Sequence, residues 1–139
     1  MKELNINTGL VEYKLAEGCT VLINPTDSEF AGKLLSTYDV LEAKQTEYTE
    51  VLKTEKDSRV VFEKARQINL DIREVINDLF GKDICTPICG TMSIYALADG
   101  MPIWANILLV FIDEMTDVLD DEQKKSKARI SKYTKKYHK

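Results

Sequence analysis

The sequence predicts an α+β fold, mainly α: a small N-terminal antiparallel β-sheet, a long αα-hairpin and an apolar central C-terminal helix. Three observations carry this reading. Apolar residues alternate within the first 25 positions, recur in 4-3-4-3-4 steps along two later stretches, and crowd together at 101–121. Alternation is the period of a half-buried strand, and the 4-3 step is that of a helix with one apolar seam.

In the first segment Leu4 and Ile6, then Leu10, Val11, Tyr13 and Leu15, then Cys19, Val21, Leu22 and Ile23 form the apolar runs. Thr8-Gly9 and Glu17-Gly18 separate them, so two or three short antiparallel strands are expected, closed by Asn24-Pro25. So small a sheet needs a helix over its apolar face. Thr26-Asp27-Ser28-Glu29 has the form of a capping box, with Thr26 as the expected cap and a long helix following. Leu34, Tyr38, Leu41, Gln45, Tyr48 and Leu52 mark its seam, and neither Gly nor Pro follows Gly32 as far as Lys53. Val61, Ala65, Ile68, Ile72, Val75 and Leu79 mark a second seam, with Gly81 as its C-cap.

Nine residues separate Leu52 from Val61, which breaks the heptad step. A turn at 56–58, with Asp57 or Ser58 capping the second helix, explains the slip and makes a hairpin about 35 to 40 Å long at 1.5 Å per residue. One continuous helix kinked here is the alternative, since no residue forbids it. From 82 to 100, Pro87, Gly90 and Gly100 punctuate the chain. Two short helical turns are expected, capped by Asp83 and by Thr91 or Ser93. The central helix is then expected from Pro102 to about Lys125, with a helical continuation through the tail left open because Ile130, Tyr133 and Tyr137 fall at i, i+3 and i+7. Trp104, Ile107, Leu108, Phe111, Met115, Val118 and Leu119 share one face, while Leu109, Val110 and Ile112 make its middle apolar all round. Such a helix has neighbours on several sides. Its expected core partners are Ile68, Ile72 and Leu79, joined by Trp104, Leu108, Phe111, Ile112 and Met115.

The 139 residues are read as a single domain, 1–139, with a β-hairpin region at 1–25, a helical hairpin at 26–81, core helices at 82–123 and a basic tail at 124–139. Asn106, Asp113 and Glu114 interrupt the apolar run too early for a membrane span, so no membrane contact is expected. The first ten residues lack the apolar core of a secretory signal, and Cys19, Cys85 and Cys89 sit in apolar surroundings; a cytoplasmic location with reduced thiols is expected. The net charge of −4 conceals an asymmetry. Residues 124–139 hold eight Lys or Arg and no acid, leaving 11 basic against 23 acidic residues, a net −12, elsewhere. Opposite charges of that size attract within or between subunits.

No catalytic, cofactor-binding or metal residues are assigned, and the protein is read as a non-enzyme with no cofactor. Cys85 and Cys89 lie four apart, but a closed zinc site needs four ligands and only Cys19 and His138 add to them. His138, near the end of a charged tail, lacks the held geometry that proton transfer needs. Asp113, Glu114, Asp117, Asp120 and Asp121 lack the glycine and loop of a calcium site, and read as solvated helix surface. The tail is the candidate partner-binding segment: Lys125, Arg129, Ile130, Lys132, Tyr133, Lys136 and Tyr137 combine charge with a narrow apolar stripe. Lys and Arg interleaved with Tyr also suit a nucleic acid, although a pI near 5.1 is the opposite of a dedicated binder's footprint. Along the hairpin, Phe30, Leu35, Val51, Phe62 and Ile76 fall outside the seams, a surplus that predicts a homo-oligomer.

The segments LNINTGLVEYKL, the NPTD helix start, YALADGMPIWANILLVFIDEM and the closing ISKYTKKYHK resemble, over the whole length, a family of small tail-assembly, chaperone-like proteins of tailed phages and prophages of Gram-positive bacteria. The resemblance implies a non-enzymatic protein of virion morphogenesis that binds the tape-measure protein or other tail proteins in the host cytoplasm. A minor phage structural protein, or a nucleic-acid-binding accessory protein using the basic tail, are the alternatives. The family brings no catalytic motif and no binding residues to carry over.

Overall fold

The computed structural model describes residues 1–137, and of Tyr133, Thr134, Lys136 and Tyr137 the backbone alone. In chain order it contains β1 (Val11–Ala16), β2 (Cys19–Ile23), α1 (Ser28–Thr54), α2 (Ser58–Phe80), α3 (Cys85–Cys89), β3 (Leu97–Ala98), β4 (Met101–Pro102) and α4 (Ile103–Tyr137). The fold is mainly helical with a small antiparallel sheet at its N-terminal side, as the periodicities predict.

β1 and β2 pair with Val11 opposite Ile23 and Tyr13 opposite Val21, turning through Glu17-Gly18. Cys19, Val21 and Ile23 are buried while Leu22, on the other face, is exposed. The expected strand at Leu4 and Ile6 is absent: residues 1–10 have no regular structure, and both side chains are about four-fifths exposed. A turn diverts the chain before it can pair. The Asn7 side chain accepts from the Gly9 N–H, and the Asn24 side chain donates to the Thr8 carbonyl. A Cβ on Gly9 would lie 2.9 Å from the Asn24 amide, and the φ of 70° there also favours glycine.

The first helix starts one residue later than the capping box implies. Thr26 gives its hydroxyl and its N–H to the Asn24 side chain, so the cap falls to Asp27, which accepts from Glu29 N–H at 3.0 Å. α1 and α2 form the hairpin, with Asp57 capping α2 and Gly81 ending it in the left-handed region. Residues 55–57 lie outside both helices, so a turn between two helices replaces the kinked-helix alternative. The seams face inward except at Leu52, which is exposed where the end of α1 leaves the body. Leu34, Leu41, Ala65, Ile68 and Ile72 are buried, and Ile76, read as surplus, is fully buried as well.

Only one of the two expected short helices forms in the link. α3 is held at its start by Asp83, which accepts from Thr86 N–H, and by the Asn77 side chain, which accepts from Ile84 N–H. Residues 90–96 are turns instead of a second helix, followed by the β3–β4 ribbon. That ribbon turns at Asp99-Gly100, both at positive φ (56° and 77°), the pattern of a tight hairpin turn. It delivers the chain to α4 with its first donors occupied: Ile103 N–H bonds the Ala96 carbonyl and Trp104 N–H the Ile94 carbonyl.

α4 departs from expectation at its far end. It starts at Ile103 and runs through the supposed tail boundary to Tyr137, 35 residues in all, instead of stopping near Lys125. Residues 103–137 contain no Gly or Pro, and the acidic-to-basic order along the axis suits the helix dipole. Its first half enters the core, where Trp104, Leu108, Phe111 and Met115 are buried; Ile112 and Leu79 sit half-buried at the edge. Phe111 meets Tyr13, Phe30 and Phe80 at centroid distances of 5.8, 6.5 and 5.1 Å. Trp104 packs edge-on to Tyr38, and its indole N–H donates to the Gln45 side chain at 3.0 Å.

Phe111→Ala is expected to cost about 3 to 5 kcal/mol, because it removes the ring shared by sheet and hairpin. Gln45→Ala, which strands the buried indole N–H, is expected to cost about 1 to 3 kcal/mol. Urea unfolding checks both, and a Phe111→Ala loss below about 1 kcal/mol contradicts this packing.

Candidate functional site

The surface that stands out is the second half of α4 together with the apolar recesses at its root. Every residue from Leu119 to Lys132 is exposed, as is Lys135. The 119–137 stretch is thus about 28 Å of helix at 1.5 Å per residue without a core beneath it.

Of the predicted partner-binding residues, Lys125, Arg129, Ile130 and Lys132 lie on this extension and are exposed. Steps of four and three residues place Lys125, Arg129 and Lys132 on one strip, whereas Ile130 lies about 100° round the helix from Arg129. The side chains of Tyr133, Lys136 and Tyr137 lie outside the described residues, as does His138. Because α4 is continuous, the basic segment cannot fold back over the acidic turn of its own helix. Lys125 does reach Glu122, one turn away, at 3.6 Å. An exposed pair of this kind contributes little stability.

Three recesses flank the extension and its root. A cleft beside Val118, Glu122 and Arg129 is bounded by Asn7, Gly9 and Asn24. An apolar notch of about 240 Å³ lies between Pro25, Ala31, Leu35, Ile112, Met115 and Leu119. Nearer the core, a wider apolar groove of about 460 Å³ is lined by Leu15, Ile88, Met92, Ile103, Ile107 and Val110. The apolar surplus on the hairpin resolves unevenly: Ile76 and much of Phe30 are taken up internally and Val51 is half-buried, but Leu35 and Phe62 are 57% and 72% exposed.

The thiols sit in a different chemical setting. Cys85 is fully buried and burial pushes its pKa up to about 12; Cys89, half-buried, is also raised by burial. Both are poor nucleophiles in that state. Arg73 reaches across from α2, donating to the Gly90 and Met92 carbonyls at 2.7 and 2.6 Å and to the Cys89 sulfur at 3.4 Å. Its work is to fasten the turn after α3. Among the described residues no three His, Cys, Asp or Glu side chains gather as a metal set, and no helix is long and apolar enough to cross a membrane.

Sequence reasoning missed Arg73, Asn77 and Asn69, which fasten the link beside the wider groove, and the pairing of the seam residue Gln45 with the Trp104 N–H. Asn69 accepts from Ile94 N–H, 25 residues away. The spacing of these side chains on α2 does not say which residues they meet. No protein-family model matches the chain, and neither a curated protein nor a solved structure does so.

Tyr13, between sheet and α4, has its pKa pushed up to about 12 by burial first and by the Glu114 carboxylate second. Tyr13 and Cys85 are therefore held neutral in the fold beyond their ordinary values of 10.0 and 9.0. Raised folded pKa values mean that the stability they contribute is complete below those ordinary values and is lost as pH rises towards 12. Urea midpoints measured across the alkaline range are expected to fall between pH 9 and 12, and Tyr13→Phe should flatten the part above 10.

Proposed function

We propose that the protein is a non-enzymatic, chaperone-like tail-assembly protein of a tailed phage or prophage. It binds tape-measure or tail proteins in the host cytoplasm during virion morphogenesis, and it works as a homo-oligomer. The identity rests on the sequence resemblance. The observation that supports a binding role is the exposed helical extension rooted between two apolar recesses, a surface suited to holding a partner by packing and by charge. A wide groove with an almost wholly apolar lining accepts apolar side chains of a client, and the charged rod beside it sets orientation.

A second reading, a nucleic-acid-binding accessory protein, draws on the strip of Lys125, Arg129 and Lys132. It requires retention on nucleic acid that falls steeply with salt and vanishes when residues 124–139 are deleted.

Affinity capture from infected or induced cells tests the main reading, with tape-measure or tail-tube protein expected in the eluate. Val110→Glu, an exposed change in the apolar groove, is expected to reduce that capture at least about fivefold while stability stays within about 0.5 kcal/mol. Capture of neither protein, with nucleic-acid retention as above, replaces this reading by the second.

A further inference from the structure

The extension of α4 carries a seam of its own. Ile112, Thr116, Leu119, Gln123, Ser126 and Ile130 follow in 4-3-4-3-4 steps, and the same spacing reaches positions 133 and 137. The first three line the apolar notch, so notch and seam form one continuous surface. Beside the seam lie Asp120 and Lys127 on one flank and Glu122 and Arg129 on the other, the positions from which charges act across a helix pair. Residues 7–11 border the second flank.

The charges are segregated along the axis. Between 113 and 122 there are six acids and no base; from 124 to 137 there are seven bases and no acid. A helix with this distribution is complementary to itself only when reversed. Two copies in parallel would set base against base over the whole basic half.

We propose that the α4 extension pairs antiparallel with the same segment of a second copy, about a two-fold axis between residues 124 and 125. In that register Leu119 faces Ile130 of the second copy, and Gln123 faces Ser126. Asp120 comes opposite Lys127, and Glu122 opposite Arg129. Position 137 of the second copy comes level with Ile112, so its helix end seats in the notch beside Leu35. The overlap of 112–137 spans about 39 Å at 1.5 Å per residue. Small and polar residues at the centre, with apolar ones towards both ends, make the seam a modest one. Charge therefore selects the partner and the direction while packing at the two notches supplies most of the affinity.

This pairing deepens the homo-oligomer of the preceding reading but does not depend on the tail-assembly role. Sedimentation velocity on the full chain, over a concentration series at low salt, tests it with two charge-reversed variants: Asp120→Lys with Glu122→Lys, and Lys127→Glu with Arg129→Glu. Each alone is expected to weaken dimerisation at least about tenfold, since its attractive pairs become repulsive. An equimolar mixture should restore a heterodimer to within about threefold of the unaltered chain, because every reversed pair is again opposite in sign. Oxidation of a mixture of Leu119→Cys and Ile130→Cys chains should cross-link them, which a parallel pair, with those positions about 16 Å apart along the axis, would not permit. A monomeric unaltered chain, a dimer indifferent to both reversals, or a mixture that fails to reassociate overturns the proposal. A monomer that retains single-stranded DNA through its basic half assigns the surface to nucleic acid instead. Loss of the dimer with tape-measure capture intact separates this proposal from the tail-assembly reading, which then stands without it.

Discussion

A helix that is apolar nearly all round needs cover on several sides, and this structure is arranged to provide it for the first turns of α4, leaving the Val110 side open. The seam of α1 covers one side through Leu34 and Leu41, the two-stranded sheet covers another through Tyr13 and Val21, and the aromatic rings of Phe30 and Phe80 close the space round Phe111. None of these covers would be stable alone. A two-stranded sheet is marginal without a packed face, and α1 with α2 form a single helical layer. Enclosure also brings a polar obligation, since the Trp104 N–H goes in with the ring. Gln45, the one polar residue in the α1 seam, answers it.

The irregular link from α2 to α4 is held differently. It has few backbone partners of its own, and side chains of α2 supply them: Asn77 at the start of α3, Arg73 at the turn after it, and Asn69 at Ile94. These residues lie at steps of four along one flank of α2, just beside its apolar seam. The same helix thus packs the core with one strip and fastens the link with the next. Fixing the link sets where α4 begins, which in turn positions both the groove and the extension.

The periodic elements were legible in the sequence because burial imposes a period. The hairpin seams, its Asp57 and Gly81 boundaries, and the apolar half of α4 all follow from spacing and capping chemistry. The departures have local causes. Asn24 takes Thr26 away from the helix cap, and the turn at Asn7–Gly9 withdraws Leu4 and Ile6 from the sheet; each is a side-chain competition that a pattern of apolar residues does not register. Rising polarity suggests a boundary near Lys125, but Lys, Arg, Ala and Gln are good helix formers and nothing there breaks the helix, so of the two courses the sequence allows the continuous one forms. The wider groove depends on the link that Arg73, Asn69 and Asn77 hold, and their spacing on α2 does not say which residues they meet.

The unbroken course of α4 also makes it a lever. Its root, from Trp104 to Met115, is clamped over about 16 Å, while the extension reaches about 28 Å beyond Val118. A sideways pull on the extension is therefore magnified where the helix leaves the body, at Met115 and the Leu34 side of α1. The notch opens at that point, and beyond it the clamped turns run back to the other end of the rod. There the sole tryptophan of the chain sits against Tyr38 and Gln45, so the lever's fixed end carries the one indole of the protein.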